Sequence, residues 1–332
     1  ARACSVVSAS SFAPAVSGTA IEDPATGLHA MGRAAGAEIV ASEELMERLA
    51  IPVAHRDLVA DSWRRDDPEI YGRFDFAYDG QGPAKLLEYN ADTPTSLYES
   101  AAFQWQWLED QLEAGVLPKG ADQFNGIHEA LVARFAEVFE PNSDLHFTAH
   151  GGNAEDYGTV EAMGWAAREA GMGAHYCDLE KIALSDDGQF LDDQDRRIAV
   201  LFKLYPWEDL LRDDYAAHIA GSGCLFLEPA WKALLSNKGL LPVLWQMFEG
   251  HPNLLPAFFE ADVADAPPGR APAPPATNVS LLPLAPDPNR RRPAHRIQPW
   301  LRFTERLPAG FASVALMPSL PENPYQTGHP QS

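Results

Sequence analysis

Eight stretches of the chain are predicted to be helices, and in the first and fourth of them hydrophobic residues recur every three or four positions, which is the period of a helix with one buried face. In the longest stretch, Pro24 falls near the first turn, where proline is tolerated. The third stretch is aromatic on more than one side, and we expect Trp105 and Trp107 to be core residues. The pattern predicts helices over about 24–49, 56–64, 97–113, 124–139, 157–170, 206–217, 230–235 and 240–248.

Shorter apolar runs between these helices predict strands. The segment Tyr71–Tyr89 has an Asp-Gly-Gln-Gly-Pro sequence at its centre, which is strong turn chemistry and indicates a hairpin. Strands at 145–149 and around 175–177 flank a predicted helix, and this order is typical of parallel pairing. Further strands are predicted at 197–205 and 226–229. The sequence therefore predicts an α/β fold.

The composition changes after Glu260. Residues 261–332 hold 15 of the 28 prolines and seven arginines, but no lysine. This segment has no long periodic run and is low-complexity in character. We therefore divide the chain into a disordered N-terminus over 1–20, a patterned region over 21–260 and a Pro/Arg-rich, poorly ordered tail over 261–332.

The net charge of −22 argues against binding to nucleic acid or to an anionic membrane surface. No apolar run is long enough to span a bilayer, and the N-terminus lacks the hydrophobic centre of a signal peptide. Cys4, Cys177 and Cys224 are scattered without C-x-x-C spacing, which is typical of reduced structural thiols. These features predict a cytoplasmic protein. Neither common Gly-rich phosphate-binding motif occurs.

The candidate chemistry is concentrated in the stretch KLLEYNADTPTSLYE, from Lys85 to Glu99. Glu88 and Asn90 alternate along the end of a predicted buried strand, so both side chains point to the same face. A carboxylate beside an amide oxygen suits a hard cation such as Mg²⁺. A simply solvated or hydrogen-bonded strand end is the alternative, and the spacing alone favours it.

The strand before this stretch carries a second polar pair. Arg73 and Asp75 in YGRFDFAYDG share one strand face by the same period, and an antiparallel hairpin would bring them to Glu88 and Asn90. The alternative is a simple ion pair between Arg73 and Asp75.

The loop after Asn90 is rich in turn and capping residues. Thr93 and Thr95, at the start of a predicted helix, suit an anion or a substrate carboxylate. They would serve equally well as turn and N-cap residues.

Several segments resemble the glutathionylspermidine synthase family, in its synthetase part with the pre-ATP-grasp and ATP-grasp regions. The segments are YGRFDFAYDGQGPAKLLEYNADTPTSLYESAAFQWQWLED, FTAHGGNAEDYGTVEAMGWAAREAG, LYPWEDL and EPAWKALLSNKGLLPVLWQMFEGHPNLLPAFFE. The resemblance covers about residues 20–260. It implies a pre-ATP-grasp mixed sheet with flanking helices, joined to a partial ATP-grasp domain.

The resemblance also implies an activity and site residues. Family members join a peptide carboxylate, such as that of glutathione, to a polyamine-like amine, using ATP and Mg²⁺ and passing through an acyl phosphate. By this resemblance, Arg73 faces the transferred phosphoryl group and Lys238 binds the ATP phosphates. The positions implied to bind Mg²⁺ are Asp75, Glu88 and Asn90. The positions implied to bind the peptide are Thr93, Thr95, Glu155 and Asp156. Alternatively, Glu155 and Asp156 complement a helix N-terminus, and Lys238 is an exposed loop lysine.

The tail departs from the family pattern. A K-P strand and a G-R-x-G lid, which family members carry after the region of resemblance, do not occur after Glu260. We therefore expect ligase turnover by this chain to be impaired. The alternative is a truncated, non-catalytic remnant that retains metal or peptide binding. The abrupt change in composition suggests that the tail arises from a shifted reading frame.

Overall fold

The computed structural model describes residues 4–9, 19–78, 81–123, 125–264, 301–303 and 311–317, with side chains described between 21 and 262. The helices are α1 (Thr19–Val40), α2 (Glu43–Arg48), α3 (Arg56–Arg64), α4 (Gln104–Glu113), α5 (Ile127–Val138), α6 (Ala154–Glu169), α7 (Trp207–Leu210), α8 (Ala216–Ile219), α9 (Lys232–Leu235), α10 (Leu240–Met247) and α11 (Glu260–Ala264). The strands are β1 (Cys4–Ala9), β2 (Gly72–Ala77), β3 (Lys85–Asn90), β4 (Asp144–Ala149), β5 (Gly173–Asp178), β6 (Ala183–Leu184), β7 (Phe190–Leu191), β8 (Val200–Lys203), β9 (Leu225–Leu227), β10 (Ala257–Phe259), β11 (Leu301–Phe303) and β12 (Phe311–Met317).

The strands form one antiparallel and one parallel four-stranded sheet, so the predicted α/β class is confirmed. The antiparallel sheet has the order β1-β12-β2-β3, and the predicted hairpin is its β2–β3 pair. The parallel sheet has the order β5-β4-β8-β9, with α6 connecting β4 to β5 as predicted. There are also two two-stranded ribbons, β6–β7 and β10–β11.

Two hydrophobic cores meet along β2. One core packs α1, α9 and α10 against the antiparallel sheet and includes Phe74 and Phe76. The other packs α5 and α6 against the parallel sheet and includes Tyr71, which immediately precedes β2. Because the chain passes from one core to the other within a few residues of β2, both cores fix the position of this strand.

The structure corrects three predictions. The helix predicted over 24–49 is divided, because Ser42 caps α2 by accepting a hydrogen bond from the Leu45 backbone N–H. The segment 206–217 forms only the short helices α7 and α8. Trp105 and Trp107 are 43% and 48% exposed, so they are not core residues; only the Leu108 side of α4 is buried.

Some predictions fall outside the described residues. The disordered N-terminus predicted over 1–20 and the tail predicted over 261–332 lie mostly there; their described parts are β1, β11, β12 and the ends of α1 and α11. Residues 79–80 of the predicted turn and Phe124 lie outside as well. In the part of the chain that the structure describes, every helix is too short or too polar to cross a membrane.

Candidate functional site

The hairpin of β2 and β3 has one buried face and one half-buried polar face. Arg73 is paired in register with Asn90, and Asp75 with Glu88, so the four side chains lie side by side as predicted. A bulge follows, since Asp75 pairs with Glu88 but Phe76 pairs with Leu86, so that Leu87 is skipped. Bulges twist a strand and change the direction of its side chains.

Two ion pairs occupy the polar face. The Arg73 guanidinium donates two hydrogen bonds to Asp75, at 2.8 and 3.2 Å, and a third to the Thr95 carbonyl at 3.0 Å. Although burial opposes the charge of Arg73, its hydrogen bonds to Asp75 raise the pKa of the guanidinium. The Lys238 ammonium lies 2.7 Å from Glu88, and this pair is more exposed, with the lysine 56% exposed. Each carboxylate of the face therefore has its own cationic partner.

A cleft of about 210 Å³ opens beside this face. Its walls come from the end of β3, the loop that follows, the start of α7 and the loop before α10. The lining residues are Glu88, Tyr89, Asn90, Asp92, Thr93, Pro206, Glu208, Ala233, Ser236 and Asn237. The cleft thus brings together segments about 150 residues apart in sequence, as the Glu88–Lys238 contact also shows.

The polar face fits a magnesium ion by the chemistry of its oxygen atoms. Asp75, Glu88 and Asn90 present two carboxylates and an amide oxygen on adjacent strand positions. Mg²⁺ in proteins is usually held by one or two carboxylates, with water and substrate phosphate completing its shell. Among the described residues, no group of three His, Cys, Asp or Glu side chains forms a metal cluster. A closed, all-protein metal site is therefore not found in that part of the chain.

The other predicted site residues are placed differently. Thr93 lines the cleft, whereas Thr95 contacts the polar face through its carbonyl. Glu155 and Asp156 do not line the cleft; they lie in the first turn of α6, where their backbone N–H groups donate to Asn153. Asn153 is the capping residue here, and the two carboxylates stand in the first turn, as the alternative interpretation expects. Their role in peptide binding stays a prediction.

Sequence reasoning missed a buried ion pair at the cleft, of which Asp92 lines the wall. The Lys203 ammonium lies 2.7 Å from Asp92, and their side chains are 1% and 4% exposed. Asp92 also accepts a hydrogen bond from the Trp207 backbone N–H at 2.5 Å. The signal was present in the sequence: Lys203 lies in an otherwise apolar strand, and a lysine is almost never fully buried unless it is paired.

A second buried network holds the start of β2. The Lys232 ammonium lies 2.7 Å from Glu228 and 2.9 Å from Glu69, and Glu228 accepts hydrogen bonds from the backbone N–H groups of Ile70 and Tyr71. Although burial opposes its charge, the two carboxylates raise the pKa of Lys232. Burial raises the pKa of Glu228. Lys232 therefore remains a cation and compensates the acidic groups around it.

Comparison with known proteins identifies the family of this chain. The sequence model of the family described as glutathionylspermidine synthase preATP-grasp matches residues 12–274. The chain belongs to this family. The match spans the hairpin, the cleft and both buried networks, so the family assignment rests on the region described above.

Curated relatives of this family member are longer than the chain. It is 43% identical over 243 residues to a putative acid–amine ligase of Haemophilus influenzae, covering 72% of this chain and 60% of the relative. It is 25% identical to trypanothione synthetase of Crithidia fasciculata, covering 71% of this chain and 39% of the relative. It is 26% identical to the bifunctional glutathionylspermidine synthetase/amidase of Escherichia coli, covering 70% of this chain and 40% of the relative. The chain therefore matches about two-fifths to three-fifths of the length of these relatives.

A solved structure shows the same fold. The family member resembles a glutathione synthetase-like effector from Globodera pallida with a TM-score of 0.50 at 14% identity, covering 76% of this chain and 64% of that protein. This likeness concerns the fold alone, and it agrees with the α/β class.

Proposed function

We propose that this chain acts in ATP-dependent carboxylate–amine ligation, joining a peptide carboxylate to an amine through an acyl phosphate. The observation that carries the proposal is the polar face: Asp75, Glu88 and Asn90 lie adjacent, with Arg73 and Lys238 in direct contact with the two carboxylates. Hard oxygen ligands beside two cations suit a site where Mg²⁺ and phosphate groups meet. Mg²⁺ would neutralise the negative charge of the phosphates during transfer.

The residues of the polar face have separate tasks in this proposal. Arg73 presents its guanidinium to the oxygens of the phosphoryl group, since a planar fork of donors matches phosphate geometry. Lys238 contributes a positive charge to the ATP phosphates. Charge stabilisation by groups that are already in place is a large part of phosphoryl-transfer catalysis. The hydrogen bonds of Arg73 to Asp75 and to the Thr95 carbonyl hold its guanidinium in place before any substrate binds.

We propose a glutathione-like peptide and a polyamine-like amine as the substrate classes. The names of the Crithidia and Escherichia relatives support this choice. Thr93, which lines the cleft, and Thr95, beside Arg73, are proposed to orient the peptide near its reacting carboxylate. We also propose a cytoplasmic location, supported by Cys177 and Cys224, which are both free thiols.

An assay of ADP release tests the proposal. The full chain is incubated with ATP, Mg²⁺, glutathione and spermidine, and each component is omitted in turn. We expect slow ADP release, in keeping with the impaired turnover predicted from the sequence, only with the complete mixture, and its loss in Glu88→Gln. The matched control is Glu137→Gln, which removes a surface carboxylate paired with Arg134 at 2.7 Å on α5; its rate should equal that of the wild type.

The outcomes separate two functions. ADP release that persists without Mg²⁺, or in Glu88→Gln, would contradict the proposed site. If no mixture gives turnover but Mn²⁺ binds the wild type and not Glu88→Gln, the chain is a metal-binding relative without ligase activity. Electron paramagnetic resonance of Mn²⁺, which prefers the same oxygen ligands as Mg²⁺, measures that binding directly.

A further inference from the structure

We infer that the buried Asp92–Lys203 ion pair is a positioning element that sets the loop after β3 against the cleft, so that Asn90 and Thr93 keep the geometry the site requires. This inference rests on the proposed function, because it gives two residues beneath the site a task in that function. It goes beyond the ligand and substrate positions that the family resemblance implies.

The loop needs an anchor. Residues 91–96 form no helix or strand between β3 and the single turn of π-helix at Glu99–Phe103. Asn90 is the last residue of β3, and Thr93 lies three residues further on in the cleft wall. Loops are the more mobile parts of a fold unless tied down, so the precision of this part of the site depends on what holds residues 91 and 92.

Asp92 is tied to the parallel sheet and to the start of α7. One carboxylate oxygen accepts from the Lys203 ammonium at 2.7 Å, and Lys203 is the last residue of β8 in the parallel sheet. The other oxygen accepts from the Trp207 backbone N–H, at the start of α7. Because both oxygens are engaged and the side chain is buried, Asp92 serves as an anchor and not as a metal ligand.

Ser236 extends the anchor to the loop that carries Lys238. Its hydroxyl oxygen accepts hydrogen bonds from the backbone N–H groups of Ala91 and Asp92, at 2.8 and 2.6 Å. The same short loop places Lys238 on Glu88. One cluster of contacts therefore fixes the strand end, the following loop and the lysine loop relative to one another.

Stability alone does not explain an ion pair at this position. A buried pair is often no more stabilising than apolar residues of similar volume, because both charges lose their hydration. Apolar side chains, however, offer no acceptor for the Trp207 N–H and no directional contact to the loop. The pair is also neutral as a whole, so its effect on the cleft comes through geometry rather than through net charge.

The test uses the full chain with Asp92→Asn and Lys203→Met combined. This double variant removes both charges, preserves the net charge and keeps a side-chain oxygen for the Trp207 N–H. The control combines His146→Gln with Asp192→Asn, which removes another buried contact, between side chains that are 3% and 0% exposed. Asp192 also pairs with Arg196 at 2.6 Å, so this control removes a negative charge that the test variant keeps in balance. His146 is paired in register with Leu201 of β8, two residues before Lys203. Lys203→Met alone, which leaves Asp92 unpaired, is the more disruptive comparison.

Two measurements are made on each variant. Amide hydrogen exchange in the ligand-free chain reports the order of residues 91–96, and Mn²⁺ titration reports the metal site. We expect exchange of this loop to rise at least about tenfold in the double variant, and Mn²⁺ affinity to fall about 10- to 100-fold, the usual effect of losing a group that orients metal ligands. The control pair should change neither quantity, even if it lowers the midpoint of thermal unfolding.

The outcomes are distinguishable. If the double variant is destabilised to the same degree as the control, while loop exchange and Mn²⁺ affinity stay at wild-type values, the pair is merely structural and the inference is wrong. If the wild type binds no Mn²⁺ but loop exchange still rises in the double variant alone, the proposed metal site fails while the anchoring of the loop is supported.

Discussion

Two sets of ion pairs lie around the hairpin of β2 and β3, and they differ in burial. The buried set is Asp92–Lys203 together with Lys232 between Glu228 and Glu69. The facing set, on the polar face of the hairpin, is Arg73–Asp75 and Glu88–Lys238. The buried lysines are 1% and 0% exposed, whereas Lys238 is 56% exposed. The same pairing of an amino group with a carboxylate therefore occurs in two very different surroundings.

Burial decides what each set can do. A buried pair has no water to replace a lost partner, so breaking it leaves an uncompensated charge. A pair at the surface gains little from its attraction, because water and salt screen it. The buried set is consequently suited to fix backbone positions, and the facing set is suited to exchange its partners for ligands.

The largest expected effect comes from Lys232→Met. Both Glu228 and Glu69 lose their central cation, and we expect the free energy of unfolding to fall by about 3–5 kcal/mol. Urea denaturation at pH 7 measures this change. Glu228→Gln combined with Lys232→Met should recover part of the loss, because one of the two stranded carboxylates is then absent. A loss below 1 kcal/mol in the single variant would contradict the assigned importance of burial.

Glu88→Gln should have the opposite pattern, with a large effect on binding and a small one on folding. We expect Mn²⁺ affinity to fall at least about tenfold, or 1.4 kcal/mol. The free energy of unfolding should change by no more than about 1 kcal/mol, the range for an exposed pair. Isothermal titration calorimetry and urea denaturation measure the two quantities on the same preparation. Strong destabilisation here would place Glu88 with the buried set.

The polar face was predictable because its determinants are local. The two-residue period of a strand placed Arg73 with Asp75 and Glu88 with Asn90, and the turn sequence made the strands antiparallel neighbours. The bulge beside Asp75 was not predicted, since it depends on how the whole sheet twists. Correct pairing of the four residues therefore came from pattern, whereas their exact direction required the structure.

The buried set was not predictable in the same way. Lys203 and Asp92 are 111 residues apart, and only the tertiary fold joins them. The lysine in an apolar strand indicated that some carboxylate must lie opposite, but not which one. The exposure of Trp105 and Trp107 was missed for a related reason: an aromatic pattern on several sides of a helix does not state which side is buried.

A third prediction concerns pH and another buried pair. Burial lowers the pKa of His146, with His175 and Arg196 acting in the same direction and Asp192 opposing them. The unfolded chain, with an ordinary histidine pKa of about 6.5, then binds a proton more readily than the folded chain. The contribution of neutral His146 to the free energy of unfolding is therefore complete above about pH 6.5, and it is lost as the pH falls toward the pKa of His146 in the folded chain.

Acidification from pH 7 to 5 should therefore destabilise the wild type more than His146→Gln. One proton accounts for at most about 1.4 kcal/mol per pH unit. Thermal unfolding across this pH range gives the two slopes, and identical slopes would show that other groups cause the acid sensitivity. Asp192 is not the cause in this window, because its pKa of about 2 lies well below it.

The smallest expected effect, and the sharpest test of the facing set, comes from Lys238→Gln. In the ligand-free chain this ammonium lies 2.7 Å from Glu88, where it competes with a divalent cation for the same carboxylate. Its removal should strengthen Mn²⁺ binding in the absence of nucleotide by about 1.5- to 5-fold, the equivalent of an exposed pair worth about 0.2–1 kcal/mol. Binding of ATP should weaken in the same variant, because a positive charge is missing from the phosphate site. If Mn²⁺ binding weakened instead, Lys238 would act as a support for Glu88, and the division between exchangeable and fixed pairs would not hold at this position.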